Sequence, residues 1–559
     1  MSKDPASTYG KTLEVAERTG VLVVGAGTSG IKAALEARLQ GLDVMLVDEN
    51  PVPPETLGDD IPLLWGGTAS GAARNRTAMT EALLAARPGL AGAFEAGVDV
   101  RLGTSCWGLY GNGPSVDWLP GPVAGLADAE RAWMLGVDRV VVAAGCRDMG
   151  VAFEGWDLPG VAGIGAAATL AAVGAFAPRR AVELGSGVVT LAAARVLADA
   201  GVAVVAVVEI TAAPLVDMSS LSAPVLCGHR IIRAEGGVDG VNALVVASDA
   251  GETTLPCDAV LLGVSAVPVV ELLDSAGCRM VFDAARGGIV PVLDATGRTT
   301  IPFISAVGGC AGAPQSTPDL AGYRMAWVKA LVVGGGEHVH VCRCEEVTAR
   351  EILEVRPPRY LAAPQDLRND RSLRSLLGEG PPNPDLVKRL TRAGMGVCQR
   401  RRCREQVACL LALGSGEPLS AVPPATHRPP VRPLPLRLAH ALEESADMRQ
   451  HWDTWFGMFS QYVPHWQVRR TTPQPIGRWT RRPANERGLG YHRRRRRQRT
   501  VGGVMAGRRR CGRDGAGSRH RRMGGVRPQR RWLHAPFQPA VRRGTLAVAA
   551  DGRVAGLPH

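Results

Sequence analysis

Four cysteines of this 559-residue chain stand in two close pairs, Cys342-Arg-Cys344 and Cys398-Gln-Arg-Arg-Arg-Cys403. Thiolates are the ligands that soft metal centres take, and four of them delivered by two loops suit a cluster of two irons and two sulfides. Structural zinc is the competing metal, although zinc sites usually space their pairs C-x₂₋₄-C and the first pair here is C-x-C. Arg343 and Arg400 to Arg402 place positive charge beside such a centre, which favours its reduced state. Cys106, Cys146, Cys227, Cys257, Cys278, Cys310 and Cys409 stand singly, and buried packing is the expectation for each. No cysteine precedes Cys106, so an early redox-active dithiol is absent. No Ser, His and Asp arrangement suggests a nucleophile, and no catalytic residue is assigned.

A second kind of chemistry is written in glycine. Val21-Leu-Val-Val-Gly25-Ala-Gly27-Thr-Ser-Gly30 is an apolar strand running into G-x-G-x-x-G, with a helical stretch, Ile31–Gln40, behind it. Gly25 permits the tight turn, Gly27 lets the backbone approach a pyrophosphate, and Gly30 allows close packing of helix on strand. The helix start supplies N–H groups and positive potential to the phosphates. Asp48 closes the next strand, where an acid binds a ribose hydroxyl. This constellation predicts a dinucleotide site. Glu183-Leu-Gly185-Ser-Gly187-Val-Val-Thr190 repeats it, with Glu209 as the acid and Thr190 in place of the third glycine. Two readings stand for this second loop, a working site for an NAD-like or ATP-like nucleotide and a structural remnant.

Parallel strands with crossover helices are what positions such loops. Val21–Val24, Val44–Val47 and Val140–Ala143 are short β-branched runs, and Ala181–Leu184 with Val204–Val208 begin a second set. The alternation predicts an α/β fold of two nested Rossmann-like dinucleotide-binding domains, followed by a small helical module carrying the four cysteines. In that module Thr348 and Glu351 have capping-box spacing, so a helix starts just after the first pair. Arg404 to Leu413 reads as another helix after the second, and Pro357 to Pro384 as an inserted loop. The apolar run Val161–Ala177 is built from Gly and Ala and is followed by Pro178, which predicts a buried core helix rather than a membrane span.

Val140-Val-Val-Ala-Ala-Gly145, Phe153-Glu-Gly-Trp-Asp-Leu-Pro159-Gly160-Val161 and Ile301-Pro-Phe-Ile-Ser-Ala-Val-Gly308-Gly309-Cys-Ala-Gly312 resemble the later motifs of flavin oxidoreductases with two dinucleotide domains of the glutathione-reductase type. In particular they resemble the α subunits of opine oxidase, hydrogen cyanide synthase and related amino-acid dehydrogenases. The resemblance covers roughly residues 19–468, including Arg428 to Leu436 and His451 to Gly457. It implies FAD held by Gly25, Gly27, Gly30, Asp48, Gly145 and Gly308. It also implies a [2Fe–2S] domain of the bacterioferritin-associated-ferredoxin type on Cys342, Cys344, Cys398 and Cys403, and an FAD-containing β subunit that oxidises the amine or amino-acid substrate. Two positions depart from the pattern. Gly309 stands where an Asp binds the ribityl chain, and Ala144 where a Thr is usual. The alternative functions are a self-sufficient NAD(P)H-dependent ferredoxin-type reductase and a flavin-depleted structural scaffold.

The expected organisation is an N-terminal arm over 1–18, an FAD-binding domain over 19–150 and 270–335, and a second dinucleotide domain over 151–269. A [2Fe–2S] domain follows over 336–416, a Pro-rich and aromatic extension over 417–468, and an Arg-rich tail over 469–559. That tail holds 25 Arg and three acids, a net +22, so of the chain's +13 residues 1–468 carry −9. The body is mildly acidic and nothing in it suggests nucleic-acid binding. With a polar start from Met1 to Val15 the expectation is a cytoplasmic protein. Under suitable codons, a one-base shift turns Tyr491–Gln498 into Ile-Thr-Val-Val-Gly-Gly-Gly, and Arg531–Ala540 into Gly-Gly-Ser-Thr-Arg-His-Phe-Asn-Pro-Pro. Both resemble the start of the β subunit, so the tail reads as β-subunit sequence translated out of frame, without a stable fold. Sequencing the gene tests this: the shifted frame is expected to stay open, and stop codons within it would end the idea.

Overall fold

The computed structural model describes residues 11–51, 75–113, 116, 118–313, 315–357, 372–378, 380–440, 444–451 and 455. The Arg-rich tail, most of the aromatic segment and half of the inserted loop after Pro357 lie outside the described residues.

A mixed sheet and a parallel sheet carry the two glycine loops. The first has seven strands. Its path runs Asp99–Leu102, Val44–Asp48, Glu17–Val24, Ala132–Val142, Val123–Ala127, Ser105–Tyr110, and Ile304–Ala306 also pairs with Ala132–Val142. Register brings Val24 opposite both Val47 and Val142, and Ala306 opposite Val142. Three strands therefore end level with one another, and the chain that leaves them contains Gly25, Gly145 and Gly308. Ligands of open parallel sheets bind at this edge, because the helix starts and turn amides gather there. Leu22, Val23 and Leu46 are fully buried, as strands covered on both faces require.

The second sheet is wholly parallel and runs Val225–Leu226, Ala203–Val208, Arg180–Leu184, Ala259–Leu262, Val161–Gly163. A three-stranded antiparallel sheet, Arg230–Gly237, Gly240–Ser248 and Gly251–Pro256, lies between its strands in sequence. The apolar run after Val161 resolves into a short strand and the helix Ile164–Ala172, which buries Ile164, Ala167, Ala168 and Ala171. Among the described residues no helix is long and apolar enough to cross a membrane.

The cysteine module is built into the largest core. Cys342, Cys403, Val407, Leu410 and Leu411 share one buried cluster with Val182, Leu184 and Val260 of the second sheet, joined by Tyr323 and Trp327. The last two lie on the helix Leu320–Val333. Thr348 caps the helix Ala349–Leu353 in a reciprocal box with Glu351. The helix Arg404–Ser415 closes at Gly416, whose φ of 74° suits glycine.

Buried ions tie the module to the segments that follow the two sheets in the chain. Arg324 has no exposed side-chain surface. Its guanidinium donates to Ser265 Oγ at 2.8 Å, to the carbonyls of Ala266 and Gly287, and to Glu405 Oε2 at 3.3 Å. Arg404 and Arg147 converge on Glu271, at 3.3 and 2.7 Å. Burial alone would raise the Glu271 carboxyl, but Arg147 and Arg404 bring it down to about 2. A group held this low contributes stability above its ordinary pKa, lost as pH falls from about 4.5 toward 2.

Candidate functional site

At the first loop the glycines do three different things. Gly25 has φ 108°, its N–H donates to Val47 O at 2.7 Å, and a Cβ there would lie 2.4 Å from Ala143 O. Gly30 is packed from below: a Cβ would lie 1.8 Å from Gly25 O and 3.2 Å from the Ala143 Cβ. Gly27 is the opposite case, with nothing within 4 Å of where a Cβ would stand. It begins the helix Thr28–Leu39, which no side chain of that cap residue closes. Open space over a helix start is the shape a pyrophosphate needs.

Asp48 comes to this loop, but as a brace. Its Oδ2 accepts the Ala26 N–H at 2.6 Å and its Oδ1 accepts the Asn50 N–H at 2.8 Å. Arg87, which no sequence motif marks, reaches the same point, donating to Ala26 O at 3.0 Å and lying 3.4 Å from Asp48 Oδ2. The positive guanidinium and the carboxylate together fix the turn between Gly25 and Gly27.

Gly145 and Gly308 join the first loop. Val307 N–H donates to Val142 O at 3.0 Å, and Ala143 N–H to Val24 O at 2.8 Å, so the three turns share one hydrogen-bonded edge. Gly308, at φ 69°, has Ser29 Oγ 2.6 Å from its missing Cβ. Gly309 lies flat on the neighbouring turn. A Cβ there would be 2.9 Å from Gly145 C and 3.0 Å from Cys146 N, so this conformation has no room for an aspartate. The residues thus fit the pyrophosphate half of FAD. The carboxylate that would take the ribityl chain is missing, and backbone fills its place.

The second loop has the same turn and a different surface. Gly185 has φ 90° and packs on Gly263 and Val264. Thr190, in the third-glycine position, is fully buried and donates to Gly263 O at 3.2 Å. The room a third glycine would give is supplied from the other side by Gly263. Glu209 is fully buried. Its Oε2 accepts from Ser186 N (3.0 Å), Ser186 Oγ (2.6 Å) and Tyr323 OH (2.8 Å), and its Oε1 from Thr211 N (3.1 Å). Over the helix start at Gly187 stands Ser316, whose Oγ accepts the Val188 N–H at 2.8 Å.

The four paired cysteines gather. Cys344 Sγ and Cys398 Sγ are 3.3 Å apart, and Gly394 N–H donates to Cys342 Sγ at 3.3 Å. Cys342 in turn contacts Cys344 and Cys403. The hydrogen bond that the Cys398 thiol gives to Cys344, together with burial, pushes the Cys398 thiol up. Gly396 leaves just the space Cys344 needs, since a Cβ there would lie 2.8 Å from its Sγ. As donors, four sulfurs from two loops fit a thiolate-held metal centre. They sit at thiol-contact spacing, however, and among the described residues no three or more His, Cys, Asp or Glu are arranged around an ion position. The donor set, not the spacing, is what a metal centre would draw on.

The arginines beside the cysteines are partly committed elsewhere. Arg400 pairs with Asp385 at 2.6 Å, and its Nη1 is buried without a hydrogen-bond partner among the described residues. Arg401 donates to Val431 O, and Arg343 to Asp157 O while lying over Trp156. Of the single cysteines, Cys106, Cys257, Cys278, Cys310 and Cys409 are buried, as packing predicts, whereas Cys146 is exposed and Cys227 half-buried.

Residues 19–334 match the family model described as pyridine nucleotide-disulphide oxidoreductase. The A subunit of opine oxidase from Agrobacterium tumefaciens (strain Ach5) is 29% identical over 468 residues, covering 75% of this chain and 91% of that protein. The alpha subunit of sarcosine oxidase from Rhizobium meliloti (strain 1021) is 26% identical over 433 residues, covering 74% of this chain and 41% of that longer protein. Among solved structures, L-proline dehydrogenase from P. horikoshii is similar with a TM-score of 0.48 and 22% identity, covering 76% of this chain and 80% of that one.

Proposed function

Because the chain belongs to the pyridine nucleotide-disulphide oxidoreductase family of flavin-dependent enzymes, we propose that it is the α subunit of a heteromeric dehydrogenase or oxidase acting on amino acids or opines. The observation that carries the reading is the meeting of Gly25–Gly30, Gly145 and Gly308 at one sheet edge, with open space at Gly27. The similarity to opine oxidase and sarcosine oxidase subunits supports the substrate class and the need for a partner.

In this reading the first loop holds the diphosphate of FAD through the amides at the start of the helix Thr28–Leu39. Asp48 and Arg87 hold the turn in the shape that receives it. FAD bound there would accept electrons in pairs and release them singly. Cys342, Cys344, Cys398 and Cys403 would hold a [2Fe–2S] cluster, with Arg402 exposed beside it. An FAD-containing β subunit oxidises the substrate, and this chain passes the electrons to an acceptor. The ion cluster of Arg147, Glu271 and Arg404 fixes the distance between the two sites, since Arg147 follows Gly145 and Arg404 follows Cys403 by one or two residues.

A scaffold without flavin is the second reading, and Gly309 is the observation that favours it. The discriminating measurement is a visible spectrum of the anaerobically purified full chain, with assays of released flavin, iron and acid-labile sulfide. Flavin together with about two irons and two sulfides per chain is the expected result. Zinc without flavin or iron would overturn the relay and leave the scaffold.

A further inference from the structure

We propose that Ser316 closes the second glycine loop from within, so that the chain accepts one nucleotide and leaves no place for an NAD-like dinucleotide at Gly185–Gly187. This deepens the relay reading and rests on it only for the ligand of the first loop.

The two loops share a turn, and the comparison isolates what differs. In each, the acid at the end of the following strand takes the N–H of the residue between the first two glycines: Asp48 from Ala26, Glu209 from Ser186. Above Gly27 the space is open, whereas above Gly187 a Cβ would come within 2.6 Å of Ser316 Oγ. A dinucleotide places a phosphate oxygen at this point, accepting from the first amides of the helix. Ser316 Oγ already accepts from one of them, Val188 N–H, at 2.8 Å. It is a neutral acceptor in the position of an anionic one.

The ribose end is closed as well. Glu209 has no exposed surface, and both its oxygens accept hydrogen bonds from the protein. The Tyr323 hydroxyl is one of those donors. Ser316 and Tyr323 lie on the same stretch of chain, which passes into the helix Leu320–Val333. One segment thus covers both ends of the site. Ser186 Oγ also accepts from Leu215 N–H at 2.9 Å, so the loop is held on its other flank too. A nucleotide would have to break the Ser316 contact and uncover a saturated carboxylate. Burying polar groups whose partners have been displaced costs more than the new contacts return.

The test is calorimetric titration of NAD⁺ into the full-length chain in the presence of saturating FAD, with bound flavin quantified separately. The wild type is expected to bind NAD⁺ no more tightly than the detection limit. Ser316→Gly, which frees the amide and the space, is expected to gain affinity by ~10-fold or more, the worth of roughly one hydrogen bond. Ser316→Ala keeps the Cβ and should gain less. Adding Gly187→Val to Ser316→Gly should abolish the gain and so place it at this loop. Equal NAD⁺ binding by wild type and Ser316→Gly would overturn the inference, and so would no binding by either, since Ser316 would then not be what closes the site. The flavin content reports on the first loop independently, so failure of the relay reading is distinguishable from failure of this one.

Discussion

Gly30→Ala is expected to yield a chain that loses both its flavin and much of its stability, whereas Gly27→Ala should lose flavin alone. The contrast follows from what each missing side chain would meet. At Gly30 the first atom of a side chain would lie 1.8 Å from the Gly25 carbonyl oxygen and 3.0 Å from its carbon. Neither is the far end of a flexible side chain. Relief requires the helix Thr28–Leu39 to move off the strand that ends at Val24, which breaks contacts among the buried Val21, Val23, Ile31 and Ala34. Overpacking of this kind costs about 1–3 kcal/mol, and more where backbone is the obstacle. At Gly27 a methyl group meets no described atom within 4 Å. It would intrude only on a bound pyrophosphate, which the backbone could no longer approach. Thermal unfolding and bound flavin, measured on both variants, separate the two effects. Equal melting temperatures for Gly30→Ala and the wild type would show that the loop is not packed as described. Full flavin in Gly27→Ala would show that the open space is not where the phosphate lies.

The parts legible in the sequence are those fixed over short stretches of chain. Strand, glycine turn and helix lie within about twenty residues at each loop, and the rules that relate them are local sterics and amide geometry. The capping box at Thr348 and Glu351 is local in the same sense, and so is the pairing of cysteines by spacing. What is not legible depends on which distant residues arrive. By its position Asp48 is a free ribose ligand, yet its carboxylate is engaged by Ala26 and by Arg87, 39 positions away. Ser316 lies 128 positions from the amide it caps, and Tyr323 lies 114 from Glu209. A serine and a tyrosine carry no motif of their own, so no local pattern announces them. Spacing alone makes the cysteine module an appended unit. Trp327 and the buried guanidinium of Arg324 make it part of the same core as the second sheet. The charges beside the cysteines are legible as charges, but the pairing of Arg400 with Asp385 is not.

Glu183 gives the second large effect, and one opposite in sign to most core substitutions. The strand Arg180–Leu184 is central in the second sheet, and Glu183 is fully buried with neither carboxyl oxygen hydrogen-bonded among the described residues. Side chains alternate along a strand, so it shares the face of Ala181. Its register partner on the next strand is Leu261, which packs in the apolar layer with Ile164, Ala193 and Leu197. Burial without a partner raises its pKa from 4.5 to about 8. Below 4.5 both folded and unfolded states hold the proton. Between 4.5 and about 8 only the folded state does, so stability falls as pH rises, by about 1.4 kcal/mol per unit and ~5 kcal/mol in all. Above that the loss is constant. Glu183→Met removes the titrating group and fills a similar volume with apolar atoms. It is therefore expected to raise stability at pH 8 by several kcal/mol, of the order ~3–5, and to leave it little changed near pH 4. Chemical denaturation across this range decides the matter. The wild-type curve should descend toward pH 8 while the variant's stays level. Parallel curves would mean that the carboxyl finds a partner or solvent when charged. In that case the apolar layer beneath the second glycine loop would have to be more open than its packing shows.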